Sequence, residues 1–121
     1  MKKKIIVLSI LAVSTIGTIA SAASFAGAVL PEGVASGTLY ESGTKGAIAT
    51  TTLETTKSGA KAYVYLEAKS GTTKLKSTNK TGVAGSTSYA KTSCQHNAAT
   101  NFWSTHRASG STHSKSLSLK V

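Results

Sequence analysis

The side chains able to do chemistry are few. The chain has one cysteine, Cys94, and three histidines, His96, His106 and His113. Cys94 and His96 stand two residues apart, which on a strand puts both on one face. A hairpin carrying His106 and His113 towards them would complete four soft ligands, enough for tetrahedral zinc. The spacing matches neither Cys-x-x-Cys nor His-x-x-x-His, and neither a metal nor a cofactor is expected. A Cys94 thiolate with a histidine base is the one nucleophilic pair the chain could supply. No orienting group is identifiable, because the chain has no aspartate and its carboxylates, Glu32, Glu41, Glu54 and Glu67, all lie upstream. Cys94 reads equally as a small buried hydrophobe, so the expectation is a protein that binds and does not catalyse.

Charge is the stronger feature. Fourteen Lys and Arg against four Asp and Glu give a formal net charge of +10 over 121 residues. Without Lys2, Lys3 and Lys4, which belong to the leader described next, eleven basic and four acidic side chains leave +7. Lys57, Lys61, Lys69, Lys74, Lys76, Lys80 and Lys91 run through the middle of the chain, interleaved with Tyr63, Tyr65 and Tyr89. Basic residues among aromatics suit nucleic acid, but export removes that partner. Outside a bacterium the abundant polyanions are teichoic acids, lipid headgroups and the pyrophosphate of wall precursors, which concentrate a cationic protein electrostatically. A plainer reading is a solvated charged surface that keeps a Ser/Thr-rich chain soluble.

The leader is read from three parts. Lys2-Lys3-Lys4, the apolar run Ile5 to Ile16 and the small residues Ala20-Ser21-Ala22 are the n-region, h-region and A-x-A site of a secretory signal peptide over residues 1–22. A second small-residue triplet, Ala26-Gly27-Ala28, offers an alternative cut. The product is expected to be secreted to the extracellular medium. A flexible segment over 23–36 and one domain over 37–121 would follow.

That domain should be all-β. Ala60, Ala62, Val64, Leu66 and Ala68 alternate with Lys61, Tyr63, Tyr65, Glu67 and Lys69, the period of two of a half-buried strand. Ala47 to Glu54, Ser86 to His96, Thr100 to Ala108 and Ser111 to Val121 read as further strands, with Leu39-Tyr40 and Lys74-Leu75-Lys76 as shorter ones. Gly-containing stretches at 42–46, 57–59, 70–71, 79–82 and 109–110 are the expected turns. This predicts a small antiparallel β-sandwich or barrel of about six or seven strands. Its core would be thin, because many inward positions are Ala, Ser or Thr, and homo-oligomerisation would bury more surface.

A two-residue loop at Ser109-Gly110 would place His106 opposite His113, Ser104 opposite Lys115 and Phe102 opposite Leu117. The hairpin would then have an apolar base and a polar tip with two histidines, and Trp103, Thr105 and Arg107 on its other face.

Within this hairpin, Trp103-Ser104 is followed eight residues later by Thr112-His113-Ser114, with Ser116-Leu117 beyond. The stretch resembles the W-S-x(7)-T-H-S segment of the lactococcin 972 family of bacteriocins. The resemblance implies a small secreted β-sandwich that blocks cell-wall synthesis through a lipid-linked precursor. It carries over to Trp103, Ser104, Thr112, His113 and Ser114. With His106, Arg107, Tyr63, Tyr65 and Lys61 added from the charge and aromatic pattern, these are the candidate ligand-binding residues. The expected function is a secreted cationic bacteriocin-like protein that binds an anionic envelope component, a wall precursor or headgroup, without stable membrane insertion. The alternative is a noncatalytic wall-associated or matrix protein for structure or adhesion.

Overall fold

The computed structural model describes residues 22–121. Eight strands follow one another: β1 (Ala22–Leu30), β2 (Gly33–Glu41), β3 (Gly46–Thr55), β4 (Ala62–Ser70), β5 (Thr73–Thr81), β6 (Thr87–Gln95), β7 (Asn101–Ala108) and β8 (Ser114–Lys120). They form two four-stranded antiparallel sheets, β1-β2-β3-β6 and β5-β4-β7-β8, packed face to face. The chain runs as a β1-β2-β3 meander and crosses to the second sheet for the β4-β5 hairpin. It returns as β6 beside β3, crosses again as β7 beside β4, and ends in β8. Among the described residues no helix is long and apolar enough to cross a membrane.

Alternation positions each strand. In β4, Ala62, Val64, Leu66 and Ala68 are buried while Tyr63, Tyr65, Glu67 and Lys69 look outward and are half-buried. In β7, Phe102, Ser104, His106 and Ala108 face in, and Asn101, Trp103, Thr105 and Arg107 face out. The core is thin in the expected way. Phe102, Leu39, Leu53, Leu66 and Val64 are its large fully buried apolar side chains, and most other members are alanines. Each alanine removes little apolar area from water, so the few large side chains carry a high share of the burial energy.

Three of the four sheet edges carry lysines: β5 has Lys74, Lys76 and Lys80, β6 has Lys91, and β8 has Lys115 and Lys120. Lys76 and Lys80 pair with the inward residues Ala68 and Val64, yet both are exposed. Such inward-pointing charges on an edge oppose pairing with another sheet. The β1 edge has no charged residue. A bulge between Phe25 and Ala28, with Gly27 at φ 70°, interrupts it and bends it away from a flat template.

Several expectations change. The leader, apart from Ala22, lies outside the described residues. Residues 23–36 are strand, not a flexible lead: they form most of β1, the Pro31-Glu32 turn and the start of β2. β1 thereby makes an eighth strand. The turn expected at 79–82 begins only at Gly82, because Asn79 to Thr81 continue β5 opposite Tyr65 to Tyr63. In the last hairpin the loop is longer than two residues. Ser111 turns inward, its N–H donating to Ala108 O at 3.0 Å, and its hydroxyl accepts the His113 N–H at 3.0 Å. Pairing therefore slips by two residues, so that His106 faces Lys115, Ser104 faces Leu117 and Phe102 faces Leu119. A slip of two keeps every side chain on its face and changes only its partner.

Gly37 is a point where close approach decides the residue. It lies between Phe25 on β1 and Thr51 on β3. A Cβ there would stand 2.5 Å from Phe25 Cε1 and 2.7 Å from His106 Nδ1. Gly37→Ala is expected to lower stability by about 1–3 kcal/mol through overpacking. Urea unfolding of the variant beside the wild type measures this.

Candidate functional site

The outer face of the β5-β4-β7-β8 sheet gathers most of the unusual surface chemistry. Register places its residues in cross-strand rows. One row is Thr81, Tyr63, Arg107 and Ser114, and the next is Asn79, Tyr65, Thr105 and Ser116. Ser77, Glu67, Trp103 and Ser118 follow, and then Lys74, Lys69, Asn101 and Lys120. The middle of the face is aromatic and hydroxylic, and cations stand at both ends.

The rings are held in place by specific contacts. The Arg107 guanidinium lies over Tyr63, 4.4 Å from the ring centroid, a cation–π contact that also flattens the arginine against the sheet. Tyr65 and Trp103 meet edge to face with centroids 6.1 Å apart, the arrangement their quadrupoles favour. Tyr65 donates its hydroxyl proton to Glu67 Oε1 at 2.7 Å. Burial first and this bond second raise the Tyr65 pKa above that of a free tyrosine. Glu67 also reaches Lys69 at 3.9 Å. Lys61, one alternation step before Tyr63, is exposed, and its carbonyl accepts the Ser109 N–H at 2.7 Å. It joins Arg107 at one end of the face. At the other end an open hollow of about 780 Å³ borders Asn101, Ser118 and Lys120.

The expected ligand-binding residues therefore divide. Tyr63, Tyr65, Trp103, Arg107 and Ser114 share the outer face, with Lys61 at its margin. Thr112 and His113 sit exposed on the β7-β8 loop beyond Arg107. Ser104 and His106 are corrected: both are buried between the sheets, His106 at 1% exposure, and neither can touch a surface ligand. The two-histidine tip does not form. Sequence reasoning also missed Asn79 and Thr105 as neighbours of Tyr65, and Glu67 as the group that fixes its hydroxyl. Only the β4-β5 and β4-β7 registers bring them together.

His106 instead links the two sheets. Thr51 Oγ1 on β3 stands 2.8 Å from Nδ1, and Ser104 Oγ stands 2.7 Å from Nε2. A neutral imidazole has one donor and one acceptor, and a hydroxyl can serve as either, so both ring nitrogens are satisfied. Phe25 packs edge-on at 5.4 Å. Burial holds the His106 pKa down at about 4, against a partial offset from the Thr50 backbone.

The remaining chemistry is dispersed. Cys94 is buried, its thiol approaching Lys76 O at 4.0 Å. Burial raises its pKa, with nearby Lys76 the largest opposing influence. A raised pKa and a buried sulfur do not suit a nucleophile. His96 lies on the β6-β7 loop, at the opposite end of β7 from His113. Among the described residues no group of three His, Cys, Asp or Glu side chains could hold a metal ion. No family model, curated protein or solved structure matches the chain.

The buried imidazole makes stability depend on pH. The folded pKa lies below the unfolded value of 6.5, so the unfolded chain binds the extra proton between the two. The neutral-histidine contribution is complete above about pH 6.5 and is lost as pH falls towards about 4, amounting to about 3 kcal/mol. Urea unfolding at pH 7.5, 5.5 and 4 should show this loss. His106→Gln should flatten the dependence over that range.

Proposed function

We propose that the protein is a secreted, cationic, bacteriocin-like binder of an anionic component of the bacterial cell envelope, a wall precursor or a headgroup. The observation that carries this reading is the scarcity of acidic partners. Among the described residues the one ion pair is Lys69 with Glu67. The ten other basic side chains of residues 22–121 have no carboxylate oxygen within 4.0 Å. Uncompensated positive charge raises self-repulsion within the fold and favours an anionic ligand. The leader read over residues 1–22 supports export, and the Trp103-Ser104 and Thr112-His113-Ser114 stretch resembling the lactococcin 972 family supports an antibacterial role. On this reading Lys61 and Arg107 attract the anion, Tyr63, Tyr65 and Trp103 supply contact area, and no covalent step occurs.

A second reading, a wall-associated protein for adhesion or matrix assembly, is favoured by one feature, the uncharged β1 edge. Growth of a panel of Gram-positive bacteria separates the two. The purified protein at micromolar concentration should inhibit growth at low salt and inhibit less at physiological salt, where screening shortens the reach of exposed charge to about 8 Å. Arg107→Glu should weaken binding to isolated cell walls roughly fivefold, about 1 kcal/mol. His113→Ala tests the hairpin resemblance through loss of inhibition. Wall binding without inhibition at either salt moves the assignment to the adhesive reading.

A further inference from the structure

We propose that the outer face of the β5-β4-β7-β8 sheet binds an anionic glycan, a sugar polymer carrying carboxylate or phosphate groups. This rests on the envelope-binding reading and narrows its ligand class. The layout of the rows carries it. A bare polyanion is best met by contiguous cations, but here the two middle rows hold Tyr65, Trp103 and hydroxyl or amide side chains, and their one charge is the carboxylate of Glu67. That carboxylate, 3.9 Å from Lys69, leaves the middle rows without a cation to meet an unbroken run of negative charge.

A sugar ring fits this centre. Its C–H face stacks on an aromatic face, and its hydroxyl rim meets donors and acceptors such as Asn79, Thr105 and Ser116. The cations then stand where acid groups at intervals along a polymer would fall. Arg107 is at one end and the row of Lys69, Lys74 and Lys120 is at the other, about 20 Å away along β7 at the usual strand rise. The rings are already oriented: Arg107 lies over Tyr63, Trp103 holds Tyr65 edge-on, and Glu67 anchors the Tyr65 hydroxyl. A face ordered before binding loses less entropy when the ligand arrives.

Calorimetry with defined polymers tests the inference. Polygalacturonate and glucosylated polyglycerol phosphate supply sugar with charge, polyphosphate and polyglutamate supply charge without sugar, and dextran supplies sugar without charge. At least one anionic glycan should bind tighter than all three controls by about tenfold or more and should change the fluorescence of Trp103, the one tryptophan of the chain. Tyr65→Ala and Trp103→Ala should each weaken that binding by about tenfold, and leave polyphosphate binding within about twofold. Thermal unfolding of both variants confirms that the sheet is intact. Unchanged Trp103 fluorescence in the saturated wild-type protein overturns the inference without recourse to variants. Equal affinity for polyphosphate or polyglutamate overturns the glycan and leaves the envelope-polyanion reading standing. Equal affinity for dextran overturns the requirement for charge. Failure of every anionic polymer to bind removes both.

Discussion

The two sheets meet around a buried imidazole. His106 enters from β7 and sits over the row that Phe25, Gly37 and Thr51 make across β1, β2 and β3. Gly37 leaves the space, Thr51 supplies a hydroxyl, and Phe25 closes the side. In a core otherwise made largely of alanines, few contacts can specify how one sheet lies on the other, since small apolar side chains tolerate sliding. A hydrogen-bonded imidazole does not. Shifting β7 along the opposing sheet would leave Nδ1 of His106 and the Thr51 hydroxyl buried without partners, at a cost of about 1–3 kcal/mol for each unsatisfied group. Specificity therefore comes from a polar residue where the apolar core is too thin to supply it.

The same contact decides the outer surface. Because side chains on a strand alternate, burying Phe102, Ser104 and His106 obliges Trp103, Thr105 and Arg107 to point outward. Pairing with β4 sets Tyr63 beside Arg107 and Tyr65 beside Thr105. The aromatic and cationic face is thus the reverse side of the polar link in the core.

Charge is distributed to a second end. Lysines on β5, β6 and β8 keep those edges apart from other sheets, while the bulge on β1 bends the uncharged edge. With Glu67 the one carboxylate paired with a cation among the described residues, the basic residues raise repulsion within the fold and also between copies. A thin core carrying that repulsion has little stability to spare, and an anionic ligand that neutralises it would stabilise the folded state through mass action.

The all-β class, the face that β4 buries, and the cationic character were legible in the residues themselves. A strand's period of two shows in Ala62 to Lys69 whatever surrounds it, and charge is a matter of composition. The alternation of β7 likewise told that Phe102, Ser104 and His106 share one face and Trp103, Thr105 and Arg107 the other, and that of β4 set Tyr63 and Tyr65 opposite its apolar residues. How far the core extends along that face was decided by tertiary structure. β1 and β2 reach over His106, so a histidine expected at a wet tip is desolvated. β1 itself has small residues, a glycine and no regular alternation across its bulge, and it becomes a strand because β2 offers it partners. Register between β4 and β7, and the two-residue slip of the last hairpin caused by Ser111 turning inward, also lay beyond local pattern. These depend on contacts between residues distant in sequence or on one loop's geometry, and periodicity carries information about neither.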